Sequence, residues 1–428
     1  MHVLISGSGI AGPTIAYWLS RPSQTTRHTI TILEKAPTLL PYGQNVDIQG
    51  SAITAIKKMG LMDQIRLLNT TETGTQFVDS VGRSFSAFPI KDGATTASLS
   101  SEYEILRGDL AKILYEATKS HYNITYLFGS TIREVISNDD DGVKVELSNG
   151  KVRNYDLLVA ADGQWSKPRR TLFLSEDVEI GHQGMYAMYA MYFTVPRQST
   201  DNSFWKIIIG LGSRTISTRP DPHGTVRAIF TLMPRTLIRE CAWQAASKEG
   251  RQAQEKRLRK EFADVGWQAR RLLNAMEQAP DFYFHPIQQI KMRRWSQARV
   301  VCLGDAAYCP TPLTGMGTSL AIIGAYMLAG ELSSLKNGDH PSTALEAYER
   351  KFRPFVEKSQ KIPSFVPGIM HPATAWKRWM LHAFLRALPW FVALPWMAGR
   401  MGDAESRNDG FPLPADPVFD ELVHNLEV

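Results

Sequence analysis

MHVLISGSGIAGPTIAYWLS (residues 1–20) places three glycines directly behind a short apolar run. Residues 3–5 predict a buried strand, and residues 10–19 have the apolar spacing of a helix. Gly7, Gly9 and Gly12 match GxGxxG, in which glycines permit a sharp turn, close approach of the backbone to a ligand and tight helix–strand packing. The free N–H groups at the start of such a helix predict an anion site suited to a pyrophosphate.

A second predicted strand, HTITILEK (residues 28–35), ends in an acidic residue, Glu34. A carboxylate about 20 residues beyond the glycine motif is placed to accept hydrogen bonds from an adenosine ribose. The pattern therefore predicts a dinucleotide site, with a purely structural glycine turn as the alternative. The residues predicted to form this site are Gly7, Gly9, Ile10, Ala11, Gly12, Glu34 and Lys35.

Composition describes an ordinary globular protein of two or three domains: 428 residues, 43% hydrophobic and 21% charged. The net charge of +6 is scattered, which suits an anionic cofactor and does not indicate nucleic acid. Cys241, Cys302 and Cys309 have neither disulfide nor metal-ligand spacing, so we expect no metal and a reducing, cytoplasmic setting. The first residues already form strand and loop, so no secretory signal is expected.

Residues 379–399, WMLHAFLRALPWFVALPWMAG, are almost wholly apolar and rich in tryptophan. A spanning helix needs about 20 apolar residues, and Arg386, Pro389 and Pro395 interrupt this run. We therefore predict helices packed on the body of the protein. Peripheral contact with a membrane, or a partner surface, is the less favoured alternative.

The order of predicted elements indicates an α/β fold with a Rossmann-like domain that is split in sequence. Period-two strands between residues about 180 and 235 interrupt an otherwise βα pattern. The predicted nucleotide domain comprises residues 1–72, 99–178 and 280–345, and a sheet-rich substrate domain comprises 73–98 and 179–279. Residues 346–428 are predicted to be a helical C-terminal segment.

Two further strand-ending turns carry carboxylates. LLVAADGQWSKPRR (157–170) contains Asp162, and VVCLGDAAYCPTPLTGMGTSLA (300–321) contains Gly304 and Asp305. Open α/β sheets bind ligands at the carboxyl ends of their strands. Small residues leading into the apolar helix after Gly317 would let a flat ring lie against the helix N-terminus.

These three turns, in this order, resemble the single-component FAD-dependent monooxygenases of the aromatic-hydroxylase class, which includes p-hydroxybenzoate hydroxylase and the tetracycline-inactivating monooxygenases. The resemblance covers residues 1–345. It implies a GR2-type FAD-binding fold and a reaction in which NAD(P)H reduces the flavin and O2 forms a C4a-hydroperoxide. One oxygen atom is then inserted into an aromatic or polyketide-like molecule of secondary metabolism, by hydroxylation, epoxidation or Baeyer–Villiger oxidation.

The resemblance also implies roles for individual residues. The glycine motif would take the FAD pyrophosphate and Glu34 the adenosine ribose, while Arg107 of ILRGDL would contact the flavin end. Asp162 would serve FAD and NAD(P)H, and Asp305 would hold the ribityl chain. The remaining cofactor residues implied are Gly304, Pro312, Gly315, Gly317 and Thr318.

The chain departs from the family pattern at two positions. Tyr308 stands where the family commonly has His, and Ser319 stands where it often has Asn. Both changes leave FAD binding plausible, but they put any role of that His in doubt. Gln44 and Asp47, in YGQNVDIQG (42–50), match the variable loop near the flavin only loosely and are weak substrate candidates.

Catalytic and substrate residues are left open by the sequence. A phenolic substrate would benefit from a base, and the chemically possible side chains are His182, Tyr192, Arg214, His285 and Tyr308. Alternation predicts that Tyr186, Met188, Ala190 and Tyr192 share one strand face, which forms either a substrate wall or ordinary sheet core.

Two other functions remain possible from sequence alone. A flavin oxidase, halogenase or reductase would use the same fold, and a non-enzymatic FAD-binding paralogue would fit the departures at Tyr308 and Ser319. The oligomeric state is not predicted.

Overall fold

The fold is described from a computed structural model of the chain. It describes residues 1–21, 28–90, 103–181, 188–336, 338–363, 366–392, 411 and 413–414. His182 and Tyr186 lie outside the described residues.

The described residues form the following strands: β1 (His2–Ser6), β2 (Thr29–Glu34), β3 (Asn45–Asp47), β4 (Gly74–Val78), β5 (Ser84–Pro89), β6 (Glu104–Leu106), β7 (Ile124–Phe128), β8 (Ile132–Asn138), β9 (Val143–Leu147), β10 (Val152–Tyr155), β11 (Leu157–Ala160), β12 (Val178–Gly181), β13 (Met188–Pro196), β14 (Trp205–Gly210), β15 (Arg214–Pro220), β16 (Thr225–Leu232), β17 (Phe282–Ile287), β18 (Gln289–Met292), β19 (Ser296–Gln297) and β20 (Val300–Cys302). Their helices are α1 (Ala11–Leu19), α2 (Ser51–Lys58), α3 (Met62–Leu67), α4 (Arg107–Glu116), α5 (Lys167–Leu172), α6 (Leu237–Lys248), α7 (Arg251–Phe262), α8 (Ala269–Met276), α9 (Asp305–Tyr308), α10 (Gly317–Ser333), α11 (Ser342–Ser359), α12 (Val366–Ile369) and α13 (Ala375–Val392).

The first core is built on a sheet with the strand order β19-β20-β11-β1-β2-β7. Its strands are parallel except for β19, which is antiparallel to β20. Both faces of such a sheet must be covered, and strands β1 and β11 are accordingly apolar and buried. Helix α10 is apolar all round and buried over most of its length, as expected of a helix at the centre of a core.

A second, largely antiparallel sheet has the strand order β17-β13-β16-β15-β14-β4-β5. Strand β13 alternates between its two faces: Tyr189, Met191 and Phe193 pack in one apolar cluster with Trp243 of α6 and Phe262 of α7. Helices α6, α7 and α8 therefore cover one face of this sheet.

The mixed α/β fold expected from the sequence is confirmed, with differences at two of the predicted boundaries. Strand β17 pairs with β13 in the second sheet, so the segment 280–345 does not belong wholly to the first core. Helix α11 begins at Ser342 and buries Leu345, Tyr348 and Phe352 in that core, so a C-terminal segment starting at residue 346 would cut through a helix. Both differences arise because β17 and α11 pack against elements that are distant from them in sequence.

The apolar run at residues 379–399 lies in α13 up to Val392, and residues 393–399 are outside the described residues. Among the described helices, none combines the length and the apolar character that crossing a bilayer requires.

Candidate functional site

Three neighbouring strands of the first sheet end in turns that lie side by side. The Gly7 N–H donates to the Leu33 carbonyl at 2.8 Å, and the Ala161 N–H donates to the Ser6 carbonyl at 2.9 Å. In the same way, the Leu303 N–H, just after β20, donates to the Ala160 carbonyl of β11 at 2.9 Å. The glycine loop and the turns containing Asp162 and Asp305 therefore share one edge of the sheet, where α/β folds bind ligands.

The glycine loop packs too closely to accommodate side chains at two of its positions. Gly7 has φ +109°, and a Cβ added there would lie 2.5 Å from the Ala161 carbonyl oxygen. A Cβ on Gly12 would collide with the Gly7 carbonyl oxygen and lie 3.2 Å from Ile5 Cγ2. These contacts hold the first turn of α1 against β1, so the N–H groups at the start of the helix have a defined position.

Glu34 is held beside this loop by backbone donors. Its Oε2 accepts from the Ser8 N–H at 3.1 Å, and its Oε1 accepts from the Ala36 N–H at 2.9 Å. Lys35, the next residue, is exposed. The carboxylate predicted to bind a ribose is thus oriented at the end of β2, next to the glycine loop.

Arg107 lies over the glycine loop at the start of α4. Its Nη2 is 3.6 Å from the position of a Cβ on Gly9, and its N–H donates to the Gln44 carbonyl at 2.9 Å. Burial raises the pKa of Asp305, and the nearby charge of Arg107 partly offsets that rise. Gly9, Arg107 and Asp305 therefore line one cleft.

A buried arginine that the sequence analysis did not single out joins the other two turns. Arg169 is 1% exposed, and its Nη1 donates to the Ala306 carbonyl at 2.9 Å. Its Nη2 donates to the Gln164 carbonyl at 2.6 Å. Burial raises the pKa of Asp162, whose side chain also accepts the Lys167 N–H at 3.1 Å.

The loop before α10 meets the loop that contains Asp47. A Cβ on Gly315 would lie 3.4 Å from Gln49 Nε2 and 3.9 Å from Asp47 Oδ2. Ser319 accepts the Gln49 N–H at 2.9 Å through its hydroxyl. The serine that departs from the family pattern thus anchors this loop at the N-terminus of α10.

The donor set fits FAD. Ser8 Oγ, inside the glycine loop, is buried and has no hydrogen-bond partner among the described residues, and neither does the buried side-chain amide of Asn45. The tight glycines and the start of α1 suit a pyrophosphate. The other predicted cofactor residues lie at the start of α1, in the turns that follow β11 and β20, or in the segment that leads into α10: Ile10, Ala11, Asp162, Gly304, Pro312, Gly317 and Thr318.

Tyr308 and Arg214 are not placed where they could touch a substrate, which corrects two of the catalytic candidates. Tyr308 is 1% exposed, and its hydroxyl bonds the Tyr348 hydroxyl at 2.8 Å within the core beneath α10. Arg214 binds the Asp264 carboxylate at 2.6 and 3.1 Å, at the end of α7. That position is on the helix-covered side of the second sheet.

Tyr192 lies on the face of the second sheet opposite helices α6, α7 and α8. It packs with Met188 and Ala190, as the alternation predicted, and burial raises its pKa to about 12. Tyr283 stands opposite Tyr192 across β13 and β17, and the charge of Arg107 acts on it. This tyrosine pair therefore lies on the side of the second sheet that is near Arg107 of α4, although Tyr283 was not among the sequence candidates.

A buried ion cluster joins the second sheet to strand β6, which pairs with β3 in a separate two-stranded sheet. Arg219 of β15 binds Glu72 at 2.9 Å and also pairs with Glu104 of β6, whose Oε2 accepts from the Thr70 hydroxyl at 2.8 Å. Burial raises the pKa of Glu104 to about 7; Arg219 opposes the rise, and the charges of Glu72 and Asp47 add to it. Because burial outweighs the single guanidinium among three carboxylates, a large fraction of Glu104 is still protonated near neutral pH.

Glu104→Gln should stabilise the protein increasingly as the pH rises from 5 to 8. The pKa of Glu104 in the folded state lies above its unfolded value, so its stabilising contribution is complete below about pH 4.5 and is lost towards pH 7. Gln remains neutral throughout. We expect the difference in unfolding free energy to change by about 2 kcal/mol, measured by denaturant unfolding at each pH.

The matched control for this prediction is Glu277→Gln, which removes an exposed carboxylate paired with Arg259. It should show no comparable pH dependence, since exposed pairs contribute little. A constant difference between Glu104→Gln and the parent protein across this range would show that Glu104 is ionised throughout.

The fold and the cleft define an α/β flavin-binding oxidoreductase. The chain belongs to the FAD binding domain family, whose model matches residues 1–361. It is an FAD-dependent monooxygenase, and the resemblance stated from the sequence is confirmed.

Two fungal proteins illustrate the relationship. The chain is 33% identical to the FAD-dependent monooxygenase asL6 of Sarocladium schorii over 385 residues, covering 86% of this chain and 88% of that one. It is 35% identical to monooxygenase CTB7 of Cercospora beticola over 400 residues, covering 91% and 92%. Among solved structures, the tetracycline destructase Tet(55) aligns with a TM-score of 0.74 at 28% identity, covering 96% of this chain and 98% of that chain.

Proposed function

We propose that this monooxygenase uses NAD(P)H and O2 to oxidise an aromatic or polyketide-like small molecule, in secondary metabolism. The observation that carries the proposal is the Tyr192–Tyr283 pair: the charge of Arg107 acts on Tyr283, and Arg107 itself lies beside Gly9 of the glycine loop. Aromatic side chains suit a flat apolar ligand. The tetracycline destructase, whose name refers to a polyketide-type molecule, supports the same substrate class.

FAD, when bound, supplies the redox chemistry that activates oxygen with electrons from NAD(P)H. The residues of the chain bind and orient it. The N–H groups at the start of α1 bind the pyrophosphate, and Glu34 binds the ribose. Arg107 and Asp305 hold the opposite end of the cleft, near the start of α10.

The substrate lies between this end of the cleft and the second sheet. Its aromatic ring packs on Tyr192 and Tyr283, and the covering sheet excludes water from the reaction. The high pKa of Tyr192 keeps its hydroxyl protonated at neutral pH, so it donates a hydrogen bond and does not act as a base.

The purified protein should contain FAD and should oxidise NADH or NADPH faster when a suitable phenol or fused-ring polyketide is present. Labelled O2 should place one oxygen atom in the product. Tyr192→Ala should raise KM roughly tenfold without loss of FAD, because it removes an aromatic contact. Tyr122→Ala, at a residue 91% exposed, is the matched control.

Other results would select the alternative functions. Stoichiometric hydrogen peroxide with no labelled product would identify an oxidase. A preparation that cannot be reconstituted with FAD would point to a non-enzymatic paralogue and contradict the proposed reaction.

A further inference from the structure

Helix α13 carries large apolar side chains on its outward face. Their exposed fractions are 59% for Trp376, 69% for Trp379, 52% for Met380, 57% for Phe384 and 81% for Trp390. Their spacing of three, four, eight and fourteen residues from Trp376 places them on one stripe of a helix. We call these five residues the α13 stripe. A contiguous apolar patch of this kind on a folded surface marks an interaction site.

The opposite face of α13 is firmly attached to the second sheet. Leu385 is buried in an apolar cluster with Phe77 and Ile207. The Ser86 hydroxyl donates to the Leu385 carbonyl at 2.7 Å, and the His382 ring lies 4.6 Å from the Phe85 ring. The α13 stripe is therefore presented outward by a docked helix.

The charged side chains around the α13 stripe are all positive. Lys377 and Arg386 flank it, Arg378 follows Lys377, and residues 361–392 contain no Asp or Glu. The Arg386 guanidinium lies 5.3 Å from the Phe85 ring centroid. Long cationic side chains at the edge of an apolar face cover it with their methylene stems and keep their charges in water.

We propose that the α13 stripe binds the surface of an anionic lipid bilayer, with α13 lying in the interfacial plane. Tryptophan is enriched at the membrane–water boundary because its ring is amphipathic. Flanking Lys and Arg add attraction to anionic headgroups. No described helix is long and apolar enough to cross the bilayer, so the contact is peripheral.

A lipid surface fits these observations better than a protein partner does. A protein partner of a stripe with only cationic flanks would need a matching acidic rim. Helix α13 has no Asp or Glu, so the α13 of a second copy cannot supply that rim. The inference does not depend on the identity of the substrate. A membrane contact here would place the enzyme where apolar aromatic molecules concentrate.

The test is co-sedimentation of the full-length holoenzyme with vesicles of phosphatidylcholine, with and without phosphatidylglycerol. We expect binding to the anionic vesicles and a blue shift of tryptophan emission. The double variant Trp376→Ser/Trp379→Ser should weaken the partition coefficient roughly tenfold, because half of the exposed aromatic area is lost. Lys377→Glu/Arg386→Glu should weaken it similarly, and added salt should do the same.

The matched control is Leu237→Ser/Ile238→Ser, which removes two apolar residues of α6 that are 73% and 86% exposed. This variant should bind like the parent protein. FAD content and the thermal midpoint confirm that every variant is folded.

Three results would overturn the proposal. Equal sedimentation with neutral and anionic vesicles would remove the charge argument. Unchanged binding by Trp376→Ser/Trp379→Ser would show that the stripe is not the contact. A dimer in lipid-free buffer that this double variant dissociates would show that a second copy covers the stripe instead.

Discussion

Gly12→Ala should yield protein that does not retain FAD. The added Cβ would overlap the Gly7 carbonyl oxygen and lie 3.2 Å from Ile5 Cγ2, so α1 must move away from β1. Neither neighbour is the flexible end of a side chain, and the strain cannot be relieved locally. Because α1 carries the N–H groups that face the pyrophosphate, its displacement also weakens the anion site.

We expect FAD affinity to fall roughly 100-fold or more, equivalent to about 3 kcal/mol. The flavin-to-protein absorbance ratio after desalting measures the loss, and titration with free FAD gives the affinity. A lower thermal midpoint of the apoprotein would show the strain independently of the cofactor.

Gly250→Ala is the matched control. Gly250 precedes α7 with φ −75°, and a Cβ there would meet no atom within 4 Å. This variant should keep its FAD and lose no more than about 1 kcal/mol of stability. If Gly12→Ala instead kept a full complement of FAD and its normal midpoint, the tight contact between α1 and the loop would not be what holds the site.

Arg169→Met should destabilise the protein by about 3 kcal/mol and loosen FAD binding at the same time. The substitution leaves the buried Ala306 carbonyl and the partly buried Gln164 carbonyl without their donor, and a buried group left unpaired costs about 1–3 kcal/mol. It also separates the turn containing Asp162 from the turn containing Asp305. Denaturant unfolding of the apoprotein measures the first effect, and FAD titration measures the second.

Two further variants, Arg169→Lys and Arg170→Met, serve as controls for this prediction. Lysine keeps the charge but lacks the forked donors that reach both carbonyls, so its effect should be intermediate. Arg170, the exposed neighbour, bonds the Ser166 and Trp165 carbonyls at the surface, and its replacement should cost less than about 1 kcal/mol. Equal losses for Arg169→Met and Arg170→Met would refute the assignment of a bridging role to Arg169.

The local sequence pattern was sufficient to predict the elements that form the proposed cofactor site. The glycine motif, the strand that ends at Glu34 and the turns at Asp162 and Asp305 each follow from residues within about ten positions of one another. The alternation of β13 likewise separated Tyr192 and Met188 from Tyr189 before any contact was known. The hydrophobic periodicity of a strand or helix indicates which of its faces is buried, whichever element packs against that face.

The pattern could not choose between chemically similar residues whose difference lies in distant contacts. Arg169 and Arg170 are adjacent, yet only Arg169 is buried. It is hydrogen-bonded to the Ala306 carbonyl, which lies 137 residues away in sequence, so no local pattern could distinguish the two arginines. Tyr308 stands in a position that suggested catalysis, but its hydroxyl is hydrogen-bonded to the Tyr348 hydroxyl of α11 inside the core. The pKa of Glu104 is raised by burial and by the charges of Glu72 and Asp47, against the opposing charge of Arg219, and none of these partners is near Glu104 in sequence.

The sequence by itself determined that this chain binds a dinucleotide on an α/β fold, because a glycine turn and the helix dipole behind it are local physics. Tertiary structure alone decided which charged and aromatic groups meet around that site. Burial, desolvation and pairing depend on what the folded chain brings within a few ångströms, and these pairs are separated by up to hundreds of residues.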